Sequence, residues 1–339
     1  MSTHQRGGVT IRDVARRAGV SVTAVSHAIN GKGTLSAETR EHIKVVAASM
    51  NYRADALARG LRRAPLGVVG FVIRPLDALG EYRPEGVDVF LRVASAAAAA
   101  ALDAGLGLML VPDLTRTPLP PLALSLDGYI VMNPVREDPV VALLRSHDIE
   151  YVTLGRDPSH PENPAWVSND DRGNRAALAD LERSGVREVL YLGGTAHDAW
   201  NLDSEELYRA WCTTTGRVPR VVHLPEGAGT QGAEELVPSL LEGGAPEAIF
   251  CLTGRHAAGV VAGLSAAGVR CPEQILVVTG SDAEQARTSR PAISAVDLQP
   301  EALGTAIVGM LKSVLDGAPP QDPVLLASRY RRRGSSRRN

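Results

Sequence analysis

Cysteine is scarce in this chain: Cys212, Cys251 and Cys271 stand alone, with no CxxC pair. That excludes a disulfide framework and a thiolate zinc site. Long apolar runs are missing as well. The longest stretches without a charged residue are 14 residues, Ala18–Gly31 and His256–Val269, short of the roughly 20 that a membrane-spanning helix needs. Residues 2–8 are small, polar or basic, so we expect no secretory leader, no membrane association and a soluble, cytoplasmic protein. Lysine is almost absent, three against 33 arginines, a bias that reads as genome composition and points to no site. Catalytic signatures are also missing. There is no GxxxxGKS/T phosphate loop, no GxGxxG after a strand, no HExxH and no GxSxG. The eight histidines show no metal-ligand spacing. A lone one such as His256 reads as a surface or capping residue, and Glu234 and Glu235 read as a solvated helix face. We expect no catalysis, no cofactor and no metal.

What the chain does have is a core and an uneven charge. Its 339 residues, 44% hydrophobic and 22% charged, suit two or three domains. Residues 1–63 carry eleven basic side chains against four acidic ones, a charge of +7. Six arginines lie in the last eleven positions, which leaves −15 on residues 64–328. A basic head on an acidic body suggests a nucleic-acid-binding module joined to something else; the alternative is a solvated basic face. The Arg-rich end reads as a frayed tail.

In the head, Thr10 is a good N-cap, and Ile11, Val14, Ala15 and Ala18 follow at helical spacing. Gly19 breaks the run and Ser21 caps a second helix marked by Val22, Val25 and Ile29, which ends near Asn30–Gly31. Two short helices joined by about four residues with a glycine make a helix-turn-helix. Ser36 and Thr39 open a third helix, roughly Ala37–Met50. The second helix of such a unit enters the major groove. There Val22 can touch a thymine methyl, Thr23 and His27 can hydrogen-bond base edges, and Ser26 can reach a phosphate.

Val9–Arg63 resembles the headpiece of the lactose-repressor/galactose-repressor (LacI/GalR) family of transcription regulators. The matching pieces are T-I-x-D-V-A-x-x-A-G-V-S, V-S-x-x-I-N-G-K-G, S-x-E-T-R and N-Y-R-x-x-A-L-A-R-x-L. The resemblance implies a DNA-binding set of Thr10, Ser21, Val22, Thr23, Ser26, His27, Asn30, Tyr52, Leu57, Ala58 and Leu61. It makes Asp55–Leu61 a hinge helix that orders on DNA, with Leu61 as a minor-groove wedge. A capped segment of under two turns is too short to be stable alone, and an apolar wedge can kink a duplex. A plain linker is the alternative. His27 stands where the family most often has Arg, and Ala54 where it has Pro.

From Leu66 onward, short apolar runs alternate with helical segments. The candidate strands are Leu66–Ile73, Gly107–Val111, Gly128–Met132, Tyr151–Leu154, Val189–Gly193, Arg220–Leu224, Ala248–Leu252, Ile275–Thr279 and Ile293–Leu298. Continuous apolar strands between helices indicate parallel sheets covered on both faces. The fold class is therefore an all-α helix-turn-helix headpiece plus an α/β core of two doubly wound parallel-sheet subdomains. The expected limits are 1–53 for the headpiece, 54–64 for the hinge and 65–339 for the core. Within the core we expect an N-subdomain of about 65–166 and 297–318, and a C-subdomain of about 167–296 and 319–335. The Ala94–Ala101 stretch, alanine except for Ser95, reads as a strong helix that permits close packing.

The core also resembles the family's effector-binding portion, which is like periplasmic sugar-binding proteins. The matching pieces are A-I-F-C (Ala248–Cys251), G-V-R-C-P-E-Q-I-L-V-V (Gly268–Val278) and I-S-A-V-D-L-Q-P-E-A-L-G (Ile293–Gly304). Ser204 replaces a ligand-contacting arginine of many members, Thr253-Gly254 replaces Asn-Asp, and Thr279-Gly-Ser-Asp282 replaces Gly-Phe-Asp-Asp. In open α/β sheets, ligands bind beyond the carboxyl ends of the strands. Those ends carry Arg74, Asp113, Asn133, Arg156, Asn169, Asp170, Thr195, Thr253, Arg255, Ser281 and Asp282, a ring suited to a polar, hydroxyl-bearing ligand. Any one of them can equally cap a helix or close a hinge. The ligand set we select is Arg74, Asp88, Phe90, Asn133, Asp170, Thr253, Ser281, Asp282 and Gln299, with Asp170 and Asp282 foremost. The expected protein is a repressor that binds a palindromic double-stranded operator as a homodimer and is switched by a small effector, carbohydrate-like. A solute-binding protein on the same core is the alternative, and an enzyme built on it a third.

Overall fold

In the computed structural model, residues 11–29, 35–50, 65–72, 88–116, 119, 122–319 and 322–338 are described, and the chain divides into two units, 1–65 and 66–339. The first unit holds α1 (Ile11–Ala18), α2 (Val22–Ile29) and α3 (Ala37–Ser49). Its helix ends follow from local chemistry. Gly19 adopts φ 69° after α1, and the Val20 N–H donates to the Ala15 carbonyl at 3.0 Å, the Schellman bond that a glycine at this place permits. Ser21 Oγ accepts from the Ala24 N–H at 3.1 Å, and Ser36 Oγ from Thr39 N–H at 3.1 Å, each replacing a missing intrahelical partner. Val14, Ala15, Val25, Ala28, Ile43 and Ala47 form the core between the three helices. Its small side chains let short helices approach closely.

The second unit holds two six-stranded sheets among the described residues. In the first, β2 (Gly107–Val111), β1 (Val68–Val72), β3 (Tyr129–Met132), β4 (Tyr151–Leu154), β5 (Trp166–Asn169) and β11 (Val324–Leu326) lie in that order, all parallel. In the second, β7 (Arg220–His223), β6 (Val189–Gly193), β8 (Ala248–Cys251), β9 (Leu276–Thr279), β10 (Ser294–Asp297) and β12 (Arg329–Arg331) follow one another, with β12 alone antiparallel.

Helices cover both faces of each sheet, which is why the central strands β1, β3, β6 and β8 carry no charged residue and are apolar almost throughout. On the first sheet, Val69 and Phe71 face α4 (Asp88–Asp103) and α11 (Pro300–Leu315), whereas Val72 faces the side of α5 (Pro139–Ser146). On the second, Leu190 and Leu192 pack with α8 (Gly229–Glu242) and α9 (Gly254–Ala266). Val189 and Tyr191 pack with α6 (Arg172–Arg183) and α7 (Ala199–Thr214). A short α10 (Glu284–Thr288) precedes β10.

Helix pairs meet backbone to backbone. A Cβ on Gly304 of α11 would lie 2.4 Å from the Val93 carbonyl of α4, against the alanine-rich stretch. A Cβ on Gly259 of α9 would lie 2.1 Å from the Thr230 carbonyl of α8. Gly259→Ala is therefore expected to cost about 1–3 kcal/mol by forcing the helices apart. An unchanged urea midpoint would show that α8 and α9 separate freely.

β5 and β11 pair in the first sheet, so the chain passes between sheets after Asn169, after Asp297 and after Leu326. The first two crossings lie within three residues of the expected 166 and 296, and the third lies eight residues past the expected 318. Only Val167 of β5 is fully buried, too little apolar pattern for four residues to read as a strand. The Arg-rich end is corrected too. It is not frayed: β12 pairs with β10, and Ser335 and Ser336 are fully buried.

Candidate functional site

On α2 the inward positions are Val25 and Ala28, both buried. Val22 and Thr23 are exposed and Ser26 and His27 half-buried on the other side, with the Ser21 cap exposed at the helix start. Arg12, Arg16, Arg17 and Lys44 are exposed on the same unit. Short polar and apolar side chains on one helix face, with guanidinium groups around them, suit base edges flanked by phosphates. Thr10, Asn30, Tyr52, Leu57, Ala58 and Leu61 lie outside the described residues, as does the hinge segment Asp55–Leu61.

In the second unit the segments after the carboxyl ends of the two sheets touch one another, and the line between them is the crevice at which open α/β sheets take ligands. Arg156, after β4, reaches Asp203 of α7 at 2.8 Å. Val135 and Asp198 form an isolated antiparallel bridge, and the Arg136 N–H donates to the His197 carbonyl at 3.0 Å. These contacts span the crevice, since β3 and β4 belong to the first sheet and α7 covers the second.

Several residues of the expected ring line the strand ends. Asn133, after β3, has φ 44°, a left-handed conformation that an asparagine tolerates better than most residues. A Cβ at Gly155 would lie 3.4 Å from its Oδ1, so a side chain at that glycine would press on it. Thr253 caps α9, its Oγ1 accepting from the His256 N–H at 3.2 Å. Ser281 is buried beside it. A Cβ on Gly254 would lie 2.7 Å from the Ser281 carbonyl, so glycine where the family has Asp draws the α9 start onto the end of β9. Asp113 binds the Thr115 N–H at 2.8 Å and Thr195 turns to Glu226; both hold loops.

The two foremost carboxylates are committed inside the chain. Asp282 receives both Nη groups of Arg333, at 2.8 and 2.7 Å. Asp170 Oδ1 accepts from the Ser328 N–H at 2.9 Å and the Arg172 N–H at 3.2 Å. Burial raises the Asp170 pKa, but the hydrogen bonds from Ser328 and Arg172 outweigh it and hold the carboxyl below its ordinary range. Gln299 (φ 49°) turns its amide to the Ala327 carbonyl, and Asn169 Nδ2 donates to the Leu298 carbonyl at 2.9 Å. Asp170, Gln299 and Asn169 therefore lace the three crossing segments to one another. Asp170, Gln299 and Asp282, expected as ligand contacts, hold these partners within the chain.

Phe90 packs edge-to-face on Phe71, 5.5 Å between ring centroids, inside the first subdomain. Asp88 opens α4, and Arg74 lies outside the described residues. His256, expected as a surface or capping residue, is fully buried; burial and the adjacent Arg255 push its pKa down to about 4, which keeps it neutral. The spacing of the sequence missed Asn174, whose Nδ2 is 3.4 Å from Ser204 Oγ and whose Oδ1 is buried without a partner. Only the departure at Ser204 hinted at that wall of the crevice.

The comparisons agree with this geometry. Residues 10–55 match the model for bacterial regulatory proteins of the lacI family, and residues 178–336 match a periplasmic binding protein-like domain. Catabolite control protein A of Staphylococcus aureus (strain Mu50) is 22% identical over 339 residues, 97% of this chain and 99% of that protein. The HTH-type transcriptional repressor PurR of Erwinia tasmaniensis is 26% identical over 312 residues, 89% of each chain. Among solved structures, the transcriptional regulator CelR in complex with cellobiose has a TM-score of 0.71 at 20% identity, covering 96% of this chain and 99% of its own. A lac repressor dimer bound to operator and an anti-inducer has 0.67 at 21%, covering 97% and 99%. They share the fold. The chain thus joins a helix-turn-helix of the lacI family to a periplasmic binding protein-like domain.

Proposed function

We propose that this protein represses transcription by binding a near-palindromic operator as a homodimer, and that a small polar effector in the crevice switches it. One observation carries the reading: a basic, lacI-type helix-turn-helix and a periplasmic binding protein-like domain are joined in one chain. The relative PurR is a transcriptional repressor, and among the structural neighbours CelR binds cellobiose and the lac repressor binds operator. A single recognition helix reads too few base pairs for genomic specificity, whereas a two-fold dimer presents two of them about one turn of DNA apart.

In this reading Val22, Thr23 and His27 read base edges, Ser21 and Ser26 contact phosphates, and Leu61 wedges between half-sites. Asn133, Thr253 and Ser281 contact the effector, joined by Asn174 and Ser204. The role is regulatory rather than catalytic, and it is carried out in the cytoplasm. No helix among the described residues is long and apolar enough to cross a membrane.

Selection of operators from a random duplex library tests the DNA role, and recovery of no enriched palindrome would refute it. A thermal-shift screen of neutral sugars tests the effector role, since a ligand at 100 times its Kd stabilises by about 2.7 kcal/mol. His27 gives a finer check. Arginine there can bind guanine bidentately, worth roughly 1–3 kcal/mol of discrimination, whereas imidazole offers one bond at a time. His27→Arg is expected to change preference at one symmetric pair of operator positions. Identical selected sites would remove His27 from base reading.

A further inference from the structure

The crevice-spanning bridge ends on a buried carboxylate. Asp198 pairs with Val135 of the first subdomain through the backbone, while its side chain, 5% exposed, caps α7. Asp198 Oδ1 accepts from the Asn201 N–H at 2.8 Å and from Asn201 Nδ2 at 3.2 Å. That same Nδ2 lies 3.0 Å from Oε1 of Glu226, so two carboxylates share one amide donor. Glu226 also holds the loop leading into the bridge, accepting from Thr195 N–H at 3.3 Å and Ala196 N–H at 3.1 Å. The fit is tight: a Cβ on Gly194 would lie 1.9 Å from Glu226 Oε1.

The other charged and titratable groups around Asp198 do little to neutralise it. Arg255 turns its Nη2 to the Glu226 backbone carbonyl at 2.9 Å, and the neutral His256 faces the Pro225 carbonyl. The Tyr191 hydroxyl is buried without a partner. Glu205 on α7 adds negative charge and is held by His223 and Arg209. Across the crevice, Arg136 and Glu137 are exposed, and Asp138 is turned to the Val135 N–H at 3.0 Å. His197 is exposed and contributes its carbonyl to the bridge.

We propose that Asp198, beside Glu226, makes the joint between the subdomains proton-sensitive: protonation of Asp198 favours the closed crevice, and its ionisation loosens the bridge, with no effector bound. The physical reason is that an ionised Asp198 is held away from water next to a second carboxylate, and opening the bridge rehydrates it. Burial first, and then Glu226, raise the Asp198 pKa to about 6 in the bridged state. This regulation is independent of the effector reading and survives its failure.

The sign follows from linkage. Closure binds a proton that the open, hydrated carboxyl releases toward its ordinary value of 3.8, so closure strengthens as pH falls through 6. Hydrogen–deuterium exchange of the effector-free, full-length protein, corrected for intrinsic rates, reads it at residues 133–138 of the first subdomain. Protection there is expected to rise about tenfold from pH 7.5 to pH 5. In Asp198→Asn it is expected to be high and independent of pH. Glu226→Gln, which removes the neighbouring charge, is expected to move the midpoint to lower pH. His197→Gln and Asp203→Asn are expected to keep the wild-type response. A flat wild-type profile, a response confined to residues 195–200, an unmoved midpoint in Glu226→Gln, or loss of the response in either control overturns the proposal.

Discussion

Arg333→Ala is expected to destabilise the second subdomain by about 3 kcal/mol, the low end for breaking a buried ion pair. The low end applies because the two side chains retain 23% and 14% of their exposure. The loss is larger than that of a surface pair because Asp282 would keep its burial and lose a bidentate partner. Arg333 Nη1 also donates to the Ile293 carbonyl at 2.9 Å, which ties the arm to the strand before it. The Asp282 carboxylate would keep Arg287, whose Nη1 lies 3.8 Å from its Oδ1. Removing both charges, in Asp282→Ala combined with Arg333→Ala, is expected to recover part of the loss, because no uncompensated carboxylate remains. Urea unfolding of the two single variants and the double variant measures the coupling. Strict additivity would show that the pair contributes nothing to folding.

This pair also explains why the C-terminal arm was illegible. Arg329–Arg333 reads as a run of charge, and charge runs are normally solvated. Here three of the arm's four arginines meet carboxylates that the body supplies: Arg331 meets Asp297, Arg332 meets Asp180 and Arg333 meets Asp282. Tyr330 and Ser336 add hydroxyl bonds to Asp180 at 2.9 and 3.0 Å. The body's negative charge, summed over the sequence, gave no sign that part of it was reserved for the chain's own end.

The headpiece was the most legible part, because a capped helix, a Gly turn and a second cap are local features. α1 and α2 form where Ser21 and Gly19 place them, and α3 ends one residue before the expected Met50. Most core strands were legible for a different reason: burial on both faces makes Ala248–Cys251 apolar throughout and leaves only Thr279 polar in Leu276–Thr279. The strands that escaped lie at sheet edges or crossings. β11 has one exposed and two half-buried residues, a pattern that periodicity cannot separate from a loop. Site residues were legible only as positions. That Asn133, Thr253 and Ser281 fall at strand ends follows from topology. Whether a carboxylate at such an end faces a ligand or another segment depends on contacts across more than 150 residues, as between Asp170 and Ser328.

Asp170→Ala is expected to uncouple the switch. Asp170 joins the first crossing to the third: its N–H donates to the Leu326 carbonyl at 2.9 Å, and its carboxylate accepts from Ser328. Asn169 and Gln299 complete the lacing through backbone carbonyls, which do not change with pH. If the effector acts by setting the angle between subdomains, that angle reaches the headpiece only as far as the crossings resist independent movement. An effector normally shifts DNA affinity by about 5–150-fold. In Asp170→Ala that ratio is expected to fall toward one, while operator affinity without effector changes little, because Asp170 is outside the helix-turn-helix. The variant also has an acid signature. Since the folded-state pKa of Asp170 is lowered, its contribution is complete above the ordinary carboxylate value and is lost as pH falls through that value toward the folded one. Wild type is therefore expected to lose stability in acid more steeply than Asp170→Ala. Operator titrations with and without the effector found by thermal shift, paired with unfolding at pH 7 and pH 3, read both effects. A variant with the wild-type ratio would show that the crossings transmit the angle without this carboxylate.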